Sequence, residues 1–202
     1  LEGETLSLHL TATTSKASPL NLSAHPYFNL AGLAASDALD HEITIFADAF
    51  LPTDAAQIPT GEIACVADTP FDFRSAWRID ERVRAPHPQL LHARGYDHYF
   101  VLGGPRAGPR AAVRLRHAAS GRVLELGTTQ RGVQFYTGNK LDGSIVGRGG
   151  IYRQSAGLAL EPQGFPDAPN QPAFPSAILR PDETYRETIA YRFLVDEEEQ
   201  AA

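Results

Sequence analysis

Two residues in this chain are of types that move protons at neutral pH and stand where such groups can be tuned. His25 lies in Leu20-Asn21-Leu22-Ser23-Ala24-His25-Pro26-Tyr27-Phe28-Asn29-Leu30-Ala31-Gly32. An imidazole has the side-chain pKa nearest neutrality, so an accessible one gives or takes a proton. Glu161 closes the apolar run Leu158-Ala159-Leu160. A carboxylate at the end of a buried run is costly to leave ionised, and that cost moves its pKa toward neutrality. Two further groups suit ligand hydroxyls. Asp97 sits among aromatic residues in Gly95-Tyr96-Asp97-His98-Tyr99-Phe100, where it can accept hydrogen bonds. Gln134, in Gly132-Val133-Gln134-Phe135-Tyr136, has an amide that donates and accepts at once. Three of the four have a plainer reading. His25 can be a histidine packed in a turn, Glu161 can pair with an arginine at a sheet edge, and Asp97 can pair with a surface arginine.

The elements that must hold these residues read as strands. Thr5 to Thr13 alternates, with Leu6, Leu8, Leu10 and Ala12 on one face. Thr184 to Val195 alternates again, with Tyr185, Ile189, Tyr191, Phe193 and Val195 together. Period two with β-branched and aromatic residues predicts half-buried strands. Further strands are predicted at the His25 segment (ending in a tight turn), at 41–47 and 61–67, at 132–139 (ending in a turn), and at 158–161 (ending at the glutamate). Residues 111–117 and 122–127 predict a hairpin about Ser120-Gly121. Ser75 to Val83 predicts a short helix carrying Trp77, interrupted by Pro86 and Pro88. Phe71 and Phe73 predict a core plug. The glycine-rich 147–150 stretch lacks the strand–loop–helix context of a phosphate loop and predicts a flexible connection. Many short strands with Gly/Pro turns are the pattern of an all-β antiparallel sandwich or barrel.

Composition narrows the function classes. With 202 residues, 43% hydrophobic and 21% charged, the chain suits one domain with a sizeable core. A net charge of −6 with scattered Arg and Lys gives no argument for nucleic acid. No apolar run reaches the length of a membrane-spanning helix. Cys65 is the sole cysteine, which rules out an internal disulfide and fits a reducing, cytoplasmic setting. His87 and His92 have no Cys or acidic partner at ligand spacing, so no metal is expected. The chain opens on Leu1-Glu2-Gly3-Glu4 and contains no Met. The expectation is a processed chain or one begun partway through a longer product. The Glu197-Glu198-Glu199 tail is expected to be solvated and disordered, since like charges repel.

Four motifs in order carry a resemblance. They are the His25 segment, Pro59-Thr60-Gly61-Glu62 through Thr69-Pro70-Phe71-Asp72-Phe73-Arg74, Gly95 to Phe100, and Leu160-Glu161-Pro162-Gln163-Gly164-Phe165-Pro166-Asp167-Ala168-Pro169-Asn170-Gln171. From about Thr11 to about Phe193 the chain closely resembles the aldose 1-epimerase (galactose mutarotase) family. The resemblance implies a large, twisted antiparallel β-sandwich whose concave face binds a monosaccharide. It implies interconversion of the α and β anomers of free aldohexoses such as galactose and glucose, with no metal or cofactor. By the motif match, Glu161 is the general base and His25 the general acid, on either side of the sugar. Asp97 and Gln134 hold sugar hydroxyls, and Tyr27 lines the site. Pro26, Tyr99 and Pro162 depart locally from the family pattern. A larger departure is the N-terminal portion that family members carry before the Thr5 strand, with an Asn-Arg pair and a second His at the sugar. The expectation is therefore a C-terminal two thirds of the family fold, with a separate N-terminal chain or a homo-oligomer as the candidate partner. The alternative is a catalytically weak carbohydrate-binding or sugar-sensing domain. A phosphorylated hexose would want a basic cluster near the pocket, and the sequence displays arginines without one.

Overall fold

Alternating side chains put one face of each strand in the core, and that alternation builds two opposed sheets. The computed structural model describes residues 1–33 and 35–196. The first sheet has six strands in the order β1 (Thr5–Ala12), β16 (Tyr185–Val195), β10 (Arg122–Thr128), β9 (Arg110–His117), β4 (Glu42–Ile45) and β7 (Trp77–Arg78). The second has six in the order β3 (Tyr27–Phe28), β14 (Leu158–Gln163), β11 (Gly132–Tyr136), β8 (Asp97–Val101), β5 (Ala49–Phe50) and β6 (Ala64–Cys65). All pairings are antiparallel. Two small pairs complete the set: β12 (Ile145–Gly147) with β13 (Gly150–Tyr152), and β15 (Ile178–Leu179) with β2 (Ser18–Pro19).

The core lies between the two large sheets. Ile43, Ile45, Val113, Leu115, Leu124, Leu126, Ile189 and Tyr191 face it from the first sheet. Phe100, Val133, Phe135, Leu158 and Leu160 face it from the second. The aromatic plug fills the space between: Phe71 stacks on Phe50 with centroids 4.1 Å apart, and Phe73 meets Tyr96 and Phe135 edge-on. Such offset and edge contacts add to simple area burial. This is the antiparallel sandwich that the strand pattern predicts.

Several local expectations are corrected. Trp77 is not helical; it sits in β7, paired with Ile43. The α-helix spans Pro88–Ala93, with Pro88 in its first turn and the His87 ring accepting from the Gln89 N–H. A proline is tolerated in that first turn because the missing N–H has no helical partner there. The 147–150 stretch is the turn of the β12–β13 hairpin rather than a loose connection. The His25 segment is irregular through Pro26, and only Tyr27–Phe28 is strand. β14 runs two residues past Glu161, through Pro162. Pro162 pairs with Val133 on one side, while β3 reaches only Leu158 and Ala159 on the other, so its missing N–H falls beyond that second ladder. The acidic tail from residue 197 lies outside the described residues.

Candidate active site

The register of the second sheet builds the site. Val133 and Phe135 of β11 point into the core, so Gln134 and Tyr136 point to the outer face. Across the ladders, Gln134 stands opposite Glu161 on β14 and Tyr99 on β8. Tyr136 stands opposite Ala159 on β14 and Asp97 on β8, and Ala159 in turn faces Tyr27 on β3. Four strands thus bring Tyr27, Asp97, Gln134, Tyr136 and Glu161 onto one outer face over two adjacent rungs. A one-residue slip of any strand would turn its member into the core.

His25 arrives from the irregular segment before β3, which is pinned on both sides. The Asn21 side chain donates to the Gly164 carbonyl at 3.2 Å and accepts from the Gly164 N–H at 2.8 Å. The Gln130 amide donates to the Leu22 carbonyl at 3.1 Å. Beyond β3, Asn29 accepts from the Ala31 N–H and donates to the Asp37 and Ala156 carbonyls. Gly164 directly follows β14, so the Asn21 clamp ties the His25 segment to the strand that carries Glu161.

The result is a direct pair. His25 Nε2 lies 3.3 Å from Glu161 Oε1, with the imidazole 47% exposed and the carboxyl only 14% exposed. Burial pushes the Glu161 carboxyl above the ordinary glutamate value; the facing His25 charge pulls it back down, and nearby Asp97 adds to the rise. Gln134 Nε2 donates to Asp97 Oδ1 at 2.8 Å. Lys140 Nζ stands 3.9 Å from Asp97 Oδ2. The rings of Tyr27 and Tyr136 meet edge-on, 6.3 Å apart, and His25 lies 5.1 Å from Tyr27. These groups line a cavity of about 440 Å³.

All five residues singled out in the sequence, His25, Tyr27, Asp97, Gln134 and Glu161, line this cavity. Asp97 pairs with an amide and a lysine, not with an arginine. The acid and base candidates are in contact with each other and do not flank an open ring-sized gap. Tyr136 was missed, although the period of two that exposes Gln134 also exposes Tyr136. Its hydroxyl accepts from the Lys140 N–H at 2.7 Å, which fixes the ring. Lys140 was missed as well, because it lies in the turn after β11, where alternation stops. His98, beside Asp97, faces the opposite way. It is buried, its Nδ1 accepts from the Asp97 N–H, and burial, aided by the charge of His87, drives its pKa down to about 3. It therefore stays neutral and braces β8.

Comparisons with known proteins bear on the fold and the family. The family model described as aldose 1-epimerase matches residues 1–192. The chain is 48% identical to a galactose mutarotase of Homo sapiens over 196 residues, covering 96% of this chain and 56% of that protein. It is 38% identical to an aldose 1-epimerase of Escherichia coli K12 over 193 residues, covering 95% of this chain and 55% of that protein. The chain therefore spans a little over half the length of these curated relatives. Among solved structures, an aldose epimerase homologue from C. elegans superposes with a TM-score of 0.83 at 30% identity, covering 95% of this chain and 56% of that one. A galactose 1-epimerase from Lactobacillus acidophilus superposes with a TM-score of 0.79 at 27% identity, covering 96% and 54%. A sandwich of this topology and a family match over almost every residue lead to one conclusion: the chain belongs to the aldose 1-epimerase family.

Proposed function

We propose that the chain interconverts the α and β anomers of free aldohexoses, such as galactose and glucose, by acid–base ring opening. The observation that carries this reading is the 3.3 Å contact between His25 Nε2 and Glu161 Oε1 in a polar, aromatic-walled cavity. The reaction needs two proton transfers at one carbon. The Glu161 carboxylate takes the proton of the C1 hydroxyl as C1=O forms. The bond from C1 to the ring oxygen breaks, and that oxygen takes a proton from the His25 imidazolium. Rotation about C1–C2 presents the other carbonyl face. The ring oxygen then attacks C1 and returns its proton to His25, while Glu161 returns its proton to O1. The two oxygens share one carbon, so an adjacent acid and base can serve both from one side. Proton balance closes with these two side chains, and the reading calls on no metal or cofactor.

Asp97 and Gln134 bond to each other and keep further acceptors and a donor free, the set that a pair of neighbouring hydroxyls requires. Tyr27, 47% exposed, offers a ring face to an apolar sugar face. Each positioned proton transfer is typically worth about 10²–10⁴ in rate. A cytoplasmic setting belongs to the same proposal, because a free, exposed Cys65 persists in a reducing compartment.

The test is the optical rotation of freshly dissolved α-galactose and α-glucose, followed with and without the chain. Acceleration that Glu161→Gln removes is the expected result. A second reading is a carbohydrate-binding domain of weak activity on the same scaffold. A folded chain that binds galactose without accelerating its mutarotation would establish that reading instead.

A further inference from the structure

We propose that a basic groove beside the candidate site binds an anionic group carried by the aldose, so that aldoses bearing a phosphate monoester or a linked uronate bind better than neutral ones. This inference rests on the acid–base reading and deepens it. The groove has a volume of about 730 Å³ and is lined by His92, Arg94, Lys140, Arg153 and a single acid, Asp142. It shares Gln57 and Lys140 with the site cavity. Lys140 spans both, with its Nζ 3.9 Å from Asp97 Oδ2. The groove is larger than the 440 Å³ site cavity, so it has room for a linked unit as well as for a bare anionic group.

Charge favours an anion here. The chain carries a net charge of −6, yet this groove gathers three permanent cations about one carboxylate. Among the described residues, neither Arg94 nor Arg153 forms an ion pair. Hydrogen bonds from Ser144, its side chain first and its N–H second, hold the Asp142 carboxyl below the usual range and keep it ionised. Guanidinium groups match phosphate and carboxylate oxygens with paired donors.

The cations are also held in place at the backbone. The Asn139 side chain donates to the carbonyls of Ala93 at 2.8 Å and Tyr96 at 2.9 Å. The Thr137 hydroxyl donates to Asn139 Oδ1 at 2.6 Å. Gln154 Nε2 donates to the Arg94 carbonyl at 3.2 Å. The three segments that bear Arg94, Lys140 and Arg153 are thus locked together before any ligand arrives, which lowers the ordering cost of binding. They lie far apart in sequence, and only the fold assembles them.

The experiment titrates galactose, galactose 6-phosphate, an aldobiouronic acid and inorganic phosphate against the chain by calorimetry, with mutarotation followed in parallel for the sugars. The variants are Arg153→Ala combined with Arg94→Asn, which keeps a residue tolerant of the left-handed backbone at φ 58, and Arg153→Glu alone as a second charge change at an exposed position. Folding of each is checked by circular dichroism. At low salt at least one anionic sugar is expected to bind about tenfold more tightly than galactose, in line with several exposed charge pairs acting together. That advantage shrinks as added salt shortens the screening length. In both variants it falls toward unity, while galactose binding and turnover stay unchanged. A preference for the phosphate sugar alone or the uronate alone identifies the source. Equal affinity for galactose and both anionic sugars overturns the proposal, as does a preference that survives both variants. Inorganic phosphate binding as tightly as the sugar phosphate also overturns it, since the anion site would then be independent of the aldose. Turnover of galactose without any anionic preference removes this inference and leaves the acid–base reading standing. An anionic preference without turnover of any sugar does the reverse.

Discussion

At the scale of single residues, the His25–Glu161 contact sets the predictions. Glu161→Gln keeps the shape and removes the base, so kcat should fall about 10²–10⁴-fold with galactose binding retained, as polarimetry and calorimetry on one preparation would show. Stability should move the other way. The folded-state pKa of Glu161 is raised, chiefly by burial, so its stabilising form is the protonated one. That contribution is present below the unfolded-state value and is lost as pH rises through the folded-state value. At neutral pH the ionised carboxylate therefore costs stability, and Glu161→Gln should raise the melting temperature. A lowered melting temperature would contradict this account of the site. The same shift predicts the acid limb of the rate profile: the wild-type rate falls on acidification through a pKa above the ordinary glutamate value of 4.5. His25→Asn should likewise lose kcat by about 10²–10⁴-fold with the fold kept. A protein that unfolds on this change would mark His25 as a packing residue.

At the scale of elements, the site is held by register and by one clamp. Asn21 joins the irregular His25 segment to Gly164 through two hydrogen bonds at an exposed position. Asn21→Ala should therefore cost little stability but move His25 relative to Glu161. A misplacement on the order of 1 Å can cost about 10²-fold in rate. The expected signature is a kcat loss of about 10- to 100-fold with a melting curve shifted by only a few degrees. A large loss of stability with kcat intact in the folded fraction would argue against a positioning role. Gly132 opens β11 where a Cβ would overlap the Tyr99 ring and the Phe100 carbonyl. Gly132→Ala should displace the strand that carries Gln134 and Tyr136, destabilising by about 1–3 kcal/mol as overpacking does, measured by denaturant melts.

At the scale of the whole molecule, one continuous core joins the two sheets, and Phe71 sits at its aromatic centre against Phe50, Tyr96 and His98. Phe71→Ala should cost about 3–5 kcal/mol, and the wild type should unfold in a single cooperative transition by calorimetry. The apolar stripe of β16 shows where burial stops: Ile189 and Tyr191 are buried, while Phe193 and Val195 are exposed. Sequence alone determined the strand-rich character, the hairpin at Ser120-Gly121 and the outward-facing residues, because alternation and turn chemistry are local. It also marked His25, Tyr27, Asp97 and Glu161, each embedded in one of the four motifs, and Gln134 by its amide on a predicted strand. Tyr136 is legible in the same alternation, two residues beyond Gln134. Trp77 took a strand place because pairing with Ile43 overrode its local pattern, and Pro88 began a helix because His87 capped it. What only the tertiary structure decided is proximity. The 3.3 Å contact of residues 25 and 161, and the meeting of Arg94, Lys140 and Arg153 around one groove, depend on cross-strand register and long-range clamps. Those are interactions between segments distant in the chain, and no local pattern encodes the distance between them.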